Sequence, residues 1–337
     1  MLFFILRRIL QSLFVIFGVL VVTFLVTRVA PSDPAAMWAG PRATPEQVER
    51  ATKELGLDRP LYEQLGKYIS DFVRGDFGHS LRTRQSVATE LKAFLPATID
   101  LVLAAMLIAL LVGLPLGVLS AQKKDRLPDH ASRVISVSAI SMPTFWVALM
   151  LQFVFFKELG ILPLGGQQSV SVSLFYPVES VTGHLLPDAL ITGNYVAFWD
   201  GVKHLILPAI ALAGWSLGSV QRMTRSAMVE ILNEDYIVAG RSYGLPERVV
   251  LWRYALKNSL GPTATVIALT MGYMLVNTFL VESLFAWPGI GTYIALAVVT
   301  LDYPAILAVT VVSAIAYIVL NALADIVIAL DPRVRAR

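Results

Sequence analysis

The sequence predicts an all-α, polytopic membrane protein with six transmembrane helices and both termini on the cytoplasmic side. Composition, the lengths of the uncharged runs and the placement of Lys and Arg predict it. Hydrophobic residues make up 56% of the 337 and charged residues 15%, against about 25% charged in a soluble domain. Such a chain has too little polar surface to clothe a globule in water.

Stretches free of charged residues and His run over 9–27, 101–122, 134–156, 205–221, 258–281 and 303–324. Each is close to the ~20 residues a helix needs to cross the hydrocarbon, whereas a soluble chain would break its apolar residues into shorter periodic runs. Arg7 and Arg8 give the first stretch the look of a secretory leader, but it is long for one and Arg28-Val29-Ala30-Pro31 is a poor cleavage site. Residues 1–29 are therefore expected to remain as the N-terminus and first span. The absence of cysteine excludes disulfides, thiol catalysis and cysteine metal sites, and says nothing of compartment.

Six spans put both termini on one side, and Lys and Arg select the cytoplasm. On that assignment Arg7 and Arg8, the Lys123–Arg133 group, six basic residues from Arg222 to Lys257, and Arg333, Arg335 and Arg337 lie inside, fifteen of the 27. Ten of the rest lie in 28–97, where nine acidic residues offset them and segment length weakens the rule. This asymmetry accounts for the net charge of +3, so no nucleic-acid partner is needed.

Residues 30–97 are expected to form an extracytoplasmic helical region. Thr44-Pro45-Glu46-Gln47 offers an N-cap, a proline at the first helical position and a capping-box Gln, and Gly56 offers a stop. Leu61, Leu65, Tyr68, Ile69 and Phe72 share one face of a second helix ending near Gly75. The core, 98–330, contains an outer loop at 157–204 broken up by Pro163, Gly165, Gly166, Pro177, Gly183 and Pro187, and a cytoplasmic loop at 222–262. Residues 331–337 make a cytoplasmic tail.

The 222–262 loop is the most informative segment. It contains Glu234-Asp235-Tyr236 through Ala239-Gly240-Arg241-Ser242-Tyr243-Gly244-Leu245-Pro246. A helix ending at Gly244, which accepts positive φ, followed by a proline-started helix makes an exposed elbow. Held in a partner's cleft, it would pass rigid-body motion to the spans on both sides. The plain alternative is a basic loop resting on anionic headgroups.

This loop resembles the EAA loop of ABC importer permeases, in the form used by the dipeptide and oligopeptide branch. Further matches are Arg7-Arg8 with Gln11, Ser32-Asp33-Pro34-Ala35, Gly56-Leu57-Asp58-Arg59-Pro60-Leu61, Gly75-Asp76-Phe77-Gly78-His79-Ser80 and Ser141-Met142-Pro143-Thr144-Phe145-Trp146. Later come Leu207-Pro208-Ala209, Val281-Glu282-Ser283-Leu284-Phe285 with Pro288-Gly289-Ile290-Gly291, Asp302-Tyr303-Pro304 and Asp331-Pro332-Arg333-Val334-Arg335. Gly240 stands where the family commonly has Ala, and Pro246 where Ser often caps the second helix; Pro246 is expected in that helix's first turn.

The resemblance implies a type I ABC importer permease fold in a bacterial or archaeal cytoplasmic membrane. It implies a second similar permease subunit, two ATP-binding subunits, an extracytoplasmic substrate-binding protein and surrounding membrane lipid as partners. Asp235, Tyr236, Gly240, Arg241, Gly244 and Leu245 are then the ATPase-coupling residues, Gly244 the most sensitive. The chain would be no enzyme, with no catalytic or metal residues; ATP and Mg would be held by the partner ATPases. The implied solute is a di- or oligopeptide, with nickel, glutathione or an oligosaccharide as alternatives.

Elementary chemistry agrees on the energy source. The chain has no phosphate-binding loop, its Gly66-Lys67 pair being followed by Tyr68. A gradient-driven carrier would place ionisable groups at mid-membrane, and the span centres here lack charge. Glu282 near the outer end of the fifth span is the best pathway or gating candidate, within reach of interfacial water, or else a tie for the Trp287-Pro288-Gly289 turn. Asn277 and Gln152, polar within the fifth and third spans, are the others; Asp325 lies near the inner end of the sixth.

Gly113-x3-Gly117, with Pro115 between, and Gly214-x3-Gly218 are expected to serve close helix packing. Gly214-Trp215-Ser216-Leu217-Gly218 matches the serine-hydrolase elbow, opening an intramembrane hydrolase as another class, but the elbow needs a strand before it. Asp76-Phe77-Gly78 lacks the other kinase motifs and reads as a helix-ending turn. The four histidines are too scattered for a predicted metal site.

Overall fold

The computed structural model describes residues 2–29, 33–40 and 42–330, with side chains over 6–26, 33–40 and 42–322. The expected tail 331–337, with Asp331–Arg335, lies outside the described residues, as do Ser32 and the side chain of Asp325. In chain order the helices are α1 (Leu2–Val29), α2 (Pro34–Ala39), α3 (Pro45–Glu54), α4 (Leu61–Val73), α5 (Val87–Gln122), α6 (Leu127–Ser141) and α7 (Thr144–Leu151), which runs on as π-helix Gln152–Glu158. There follow α8 (Val170–Phe175), α9 (Leu185–Ile191), α10 (Tyr195–Ile231), α11 (Asp235–Ser242), α12 (Glu247–Val249) with π-helix Val250–Ala255, α13 (Leu256–Leu284), α14 (Ile290–Val299) and α15 (Tyr303–Leu330). Among the described residues no strand forms beyond one isolated bridge, His79 to Ser86, so the fold is all-helical.

Five of these helices are long and apolar enough to cross a bilayer, six if α6 and α7 with its π-helix count as one broken span. The third stretch, expected as one span over 134–156, is bent by 104°. Pro143 is the cause: it pushes the preceding Met142 out of the helical region, to φ −78 and ψ 131.

One compact unit comprises residues 1–96 and 289–318. In it α3 starts at the capping box: Gln47 N–H donates to Thr44 Oγ1 at 3.4 Å and Thr44 N–H to Gln47 Oε1 at 2.8 Å. Gly56 follows with φ +65. On α4, Leu65, Tyr68, Ile69 and Phe72 are half-buried, Tyr68 stacking on Phe24 and Phe72 meeting Phe77 edge-on. Leu61, expected on that face, is exposed; it is the first residue of the helix, ahead of the turns that pack. Two motifs 222 residues apart meet here, as buried Asp302 accepts from Ser80 Oγ and from the Leu81 amide at 3.0 Å. Buried Glu90, in the first turn of α5, accepts from Tyr293 Oη at 2.7 Å.

The second unit comprises 97–288 and the chain from 319. Its core gathers Leu101, Ala105 and Ala109 of α5, Ala148 of α7, Leu207 and Leu212 of α10, and Met274 and Val281 of α13. The glycine pairs supply the close approaches. A Cβ on Gly113 would lie 3.1 Å from Leu217 O, and on Gly117 2.6 Å from Thr224 Cβ; one on Gly218 would lie 2.6 Å from Ser136 O. α5 and α6 therefore meet α10 nearly backbone to backbone, which suits lipid, where no hydrophobic drive brings helices together.

α5 and α10 start well before the uncharged runs at 101 and 205, and the acidic residues they take in are answered by protein. Asp200, inside α10, accepts from Ser169 N and Oγ, both at 2.7 Å. Asp100, inside α5, is 2.7 Å from His184 Nδ1. The outer loop is held down elsewhere too: Gly166 N–H donates to Phe285 O at 2.7 Å, where a Cβ on Gly165 would lie 2.2 Å from the same oxygen. At its far end the Asp188 carboxylate is caged by the amides of Val181, Thr182 and Gly183 and by Thr182 Oγ1, at 2.6–3.0 Å. Burial works to raise the Asp188 pKa, and these donors outweigh it, leaving it below the ordinary aspartate range.

Two outcomes are expected. Gly117→Val forces Thr224 aside and should destabilise the detergent-purified protein by about 1–3 kcal/mol, while Gly18→Val, whose Cβ meets nothing within 4 Å, should leave its melting temperature unchanged. Because the folded pKa of Asp188 is depressed, its contribution is complete above the ordinary aspartate pKa of about 4 and is lost as pH falls through the lower folded value. Hydrogen exchange corrected for intrinsic rate should show the 181–183 amides losing protection only in that acid range.

Candidate functional site

The elbow is assembled from local rules. α10 ends at Ile231, and after a short turn α11 begins at Asp235 with Glu234 as an N-cap that makes no side-chain cap. Asp235 in the first turn and Arg241 in the last complement the helix dipole. Gly244 then takes φ +78. Leu245 N–H reaches back to Gly240 O at 3.2 Å and Gly244 N–H to Arg241 O at 2.9 Å, the paired bonds of a Schellman C-cap.

Gly240 and Leu245 form the apolar contact that accompanies such a cap. A Cβ on Gly240 would sit 3.2 Å from Leu245 Cδ1, so an alanine methyl there would press against the leucine and displace it by a few tenths of an ångström. Pro246, expected inside the first turn of the next helix, stands one residue earlier, at the N-cap with φ −59 and ψ 137. There its carbonyl accepts from Val249 N at 2.8 Å and Val250 N at 3.1 Å, and its missing N–H is still no loss.

Three side-chain ties brace the elbow. Arg241 forks onto Glu247, Nη2 to Oε1 at 2.8 Å and Nε to Oε2 at 3.2 Å, across the turn. Asn258 Nδ2 donates to Tyr236 Oη at 2.8 Å. Ile237, only 2% exposed, is seated among Val118 and Ala121 of α5, Met228 of α10, and Val250, Leu251 and Ala255.

Of the predicted coupling residues, Asp235, Tyr236, Arg241, Gly244 and Leu245 are exposed together, with Gly240 half-covered beneath Leu245. Sequence reasoning missed two residues. Tyr243, 89% exposed at the tip, carries the largest free aromatic surface of the ridge; its position beside Gly244 was the available signal. Ile237, the one fully buried residue of α11, was legible as the lone isoleucine opposite the polar face.

The pathway candidates are dispersed. Glu282, expected within reach of water, is fully buried and accepts from Thr98 Oγ1 at 2.7 Å. Its carbonyl accepts from Trp287 N at 2.8 Å, and Trp287 Nε1 donates to Ala97 O. Gln152 Nε2 donates to Leu164 O and Leu284 O, bracing the outer loop. Asn277 is half-buried and donates to Tyr273 O within α13. Ser216 lies mid-α10 and is fully buried, not on the strand-to-helix turn that a nucleophile elbow uses.

Comparison with known proteins places this arrangement. Residues 113–336 match the model of the binding-protein-dependent transport system inner membrane component, and residues 1–102 match its N-terminal companion. The chain belongs to that permease family. It is 43% identical over 321 residues to the probable D,D-dipeptide transport system permease protein DdpB of Escherichia coli (strain K12), covering 95% of this chain and 94% of that one. It is 40% identical to the di/tripeptide transport system permease protein DppB of Pseudomonas aeruginosa (strain UCBPP-PA14), over 99% of each chain. With the dipeptide permease DppB of Alkalihalophilus pseudofirmus the identity is 38%, over 99% of this chain and 100% of the relative. The chain is thus a multi-pass membrane permease subunit of a binding-protein-dependent transporter.

Hydrogen exchange at the elbow should separate its supports. Gly240→Leu displaces Leu245 and should strip protection from the Gly244 and Leu245 amides. Glu247→Gln removes an exposed ion pair and should change that protection by less than about 1 kcal/mol.

Proposed function

We propose that this permease is one half of the membrane channel of an ATP-driven importer of di- or oligopeptides, with six spans, both termini in the cytoplasm and the type I importer fold. The region 30–97 and the loop 157–204 then face outward, and α11 with its elbow faces inward. A second, similar permease completes the pathway, two ATPase subunits bind ATP and Mg, and an outer binding protein delivers solute. The membrane is the cytoplasmic membrane of a bacterium or archaeon.

The exposed ridge on α11 carries this reading. Tyr236, Val238, Tyr243 and Leu245 present apolar surface in a segment that also exposes Asp235 and Arg241, a mixture suited to a cleft in another protein. Asp235, Tyr236, Gly240, Arg241, Gly244 and Leu245 are the docking set, with Tyr243 added. A gradient-driven carrier has no use for such a ridge. The peptide assignment rests on the names of the relatives; nickel, glutathione and oligosaccharides are the competing solutes.

At Gly244 a side chain meets no neighbour, so any effect of substitution comes through the positive φ and the docking surface. Gly244→Asp, and more strongly the β-branched Gly244→Val, should abolish ATP-dependent peptide uptake while membrane abundance stays normal. Uptake at the wild-type rate would remove the coupling role, and uptake abolished by a proton uncoupler at constant ATP would replace the importer with a carrier.

A further inference from the structure

The strongest feature outside the elbow is a buried ionic cluster where α5, α6 and α10 meet. Arg225 of α10 forks onto Asp129 of α6, Nε to Oδ1 and Nη2 to Oδ2, both at 2.7 Å. Ser120 Oγ of α5 donates to Asp129 Oδ1, and the Asp125 amide donates to Oδ2 at 2.9 Å. Asp125 stands in the turn between α5 and α6 at φ +59, a left-handed conformation for a residue with a side chain. One carboxylate, fully shielded from solvent, thus receives donors from both neighbouring helices and from the turn leading into its own.

Its place matters. Ser120 adjoins Ala121 and Arg225 lies three residues before Met228, and Ala121 and Met228 both belong to the apolar seat of Ile237. The cluster and the seat are therefore continuous along α5 and α10, and only the Leu232–Glu234 turn separates α10 from α11. An apolar seat tolerates sliding of one helix along another, because dispersion contacts are non-directional. A planar guanidinium forked onto a carboxylate that is also held by two other donors has one geometry.

We propose that Asp129 and Arg225 are positioning residues for transport: they lock α5, α6 and α10 into one body at the foot of the elbow, so that displacement of α11 moves three helices rather than bending one. The proposal rests on the permease reading above. Removing the lock leaves ATPase docking intact and loses the conversion of hydrolysis into transport. Exchanging the two charges does not restore it, since the Asp125 amide N–H, which can only donate, would then face a cation.

The test uses the complete importer in proteoliposomes, with peptide uptake and ATP hydrolysis measured together. Arg225→Lys, which keeps the charge and loses the fork, and Asp129→Asn should retain ATP hydrolysis while peptide imported per ATP falls about tenfold. Ser120→Ala, the mildest change, should show a smaller fall and carries the test if Asp129→Asn fails to insert. Because the chain has no cysteine, spin labels at His130→Cys and Ser226→Cys, both exposed, report the α6–α10 distance directly. It should stay constant through the ATP cycle in the otherwise wild-type protein and broaden with Arg225→Lys. An unchanged transport-to-hydrolysis ratio overturns the proposal, as does a parallel fall of both activities with abundance, the mark of a merely structural pair. Wild-type importer without ATP-dependent uptake would instead remove the parent reading.

Discussion

A carboxylate inside this fold has no water to turn to, and the structure is organised around answering each one with protein donors. An isolated ionised group in a low-dielectric interior costs several kcal/mol even after relaxation. Asp129 receives two bonds from Arg225 and one each from Ser120 and the Asp125 amide. Asp302 is met by Ser80 and the Leu81 amide, Glu90 by Tyr293 and Glu282 by Thr98. Each of these ties has a partner at a helix end or its flank, and those of Arg225, Asp302, Glu90 and Glu282 join segments far apart in the chain. Between them the helices meet through Gly113, Gly117 and Gly218, where a side chain would collide with the neighbouring helix. In lipid, where burial of apolar surface gives little net drive between helices, shape and polar ties select one arrangement.

That division explains what could be read in advance. Local features were legible because their causes are local: the capping box at Thr44, the stops at Gly56 and Gly75, and the positive φ at Gly244 depend on residues within five positions. The existence of the spans was legible from hydropathy. Their ends were not. Asp100 and Asp200 lie outside the uncharged runs yet inside the helices, where His184 and Ser169 answer them from the outer loop. No rule of spacing identifies such partners. The bend at Met142 follows from Pro143, but hydropathy averages over it and yields one straight span.

The site followed the same pattern. Turn chemistry at Gly244 and Pro246 located the elbow, whereas Asp235, Tyr236 and Arg241 were singled out by the resemblance to the importer-permease loop; all are exposed. The seat under it was hidden, as it draws on Val118, Met228 and Val250 from three other elements. Glu282 near a span end reads equally as a group within reach of water or as a tie for the Trp287 turn, and its burial beside Thr98, with its carbonyl accepting from Trp287 N, accords with the tie.

The dependence of α11 on that seat bears on how it can act. A helix of eight residues does not persist alone, since nucleation is unfavourable and isolated helices shorter than about 12 residues are marginal. Its N-terminus has no side-chain cap, and the exposed Arg241–Glu247 pair supplies at most about 1 kcal/mol. Burial of Ile237 contributes more, roughly 1.5–3 kcal/mol, and it is supplied by α5, α10 and the π-helical entry to α13 together. α11 therefore exists as a helix only while seated on the elements it would move. A partner pulling on the ridge cannot bend α11 away from that seat without unfolding it, so force enters α5, α10 and α13 at once, through a side-chain contact rather than along the chain.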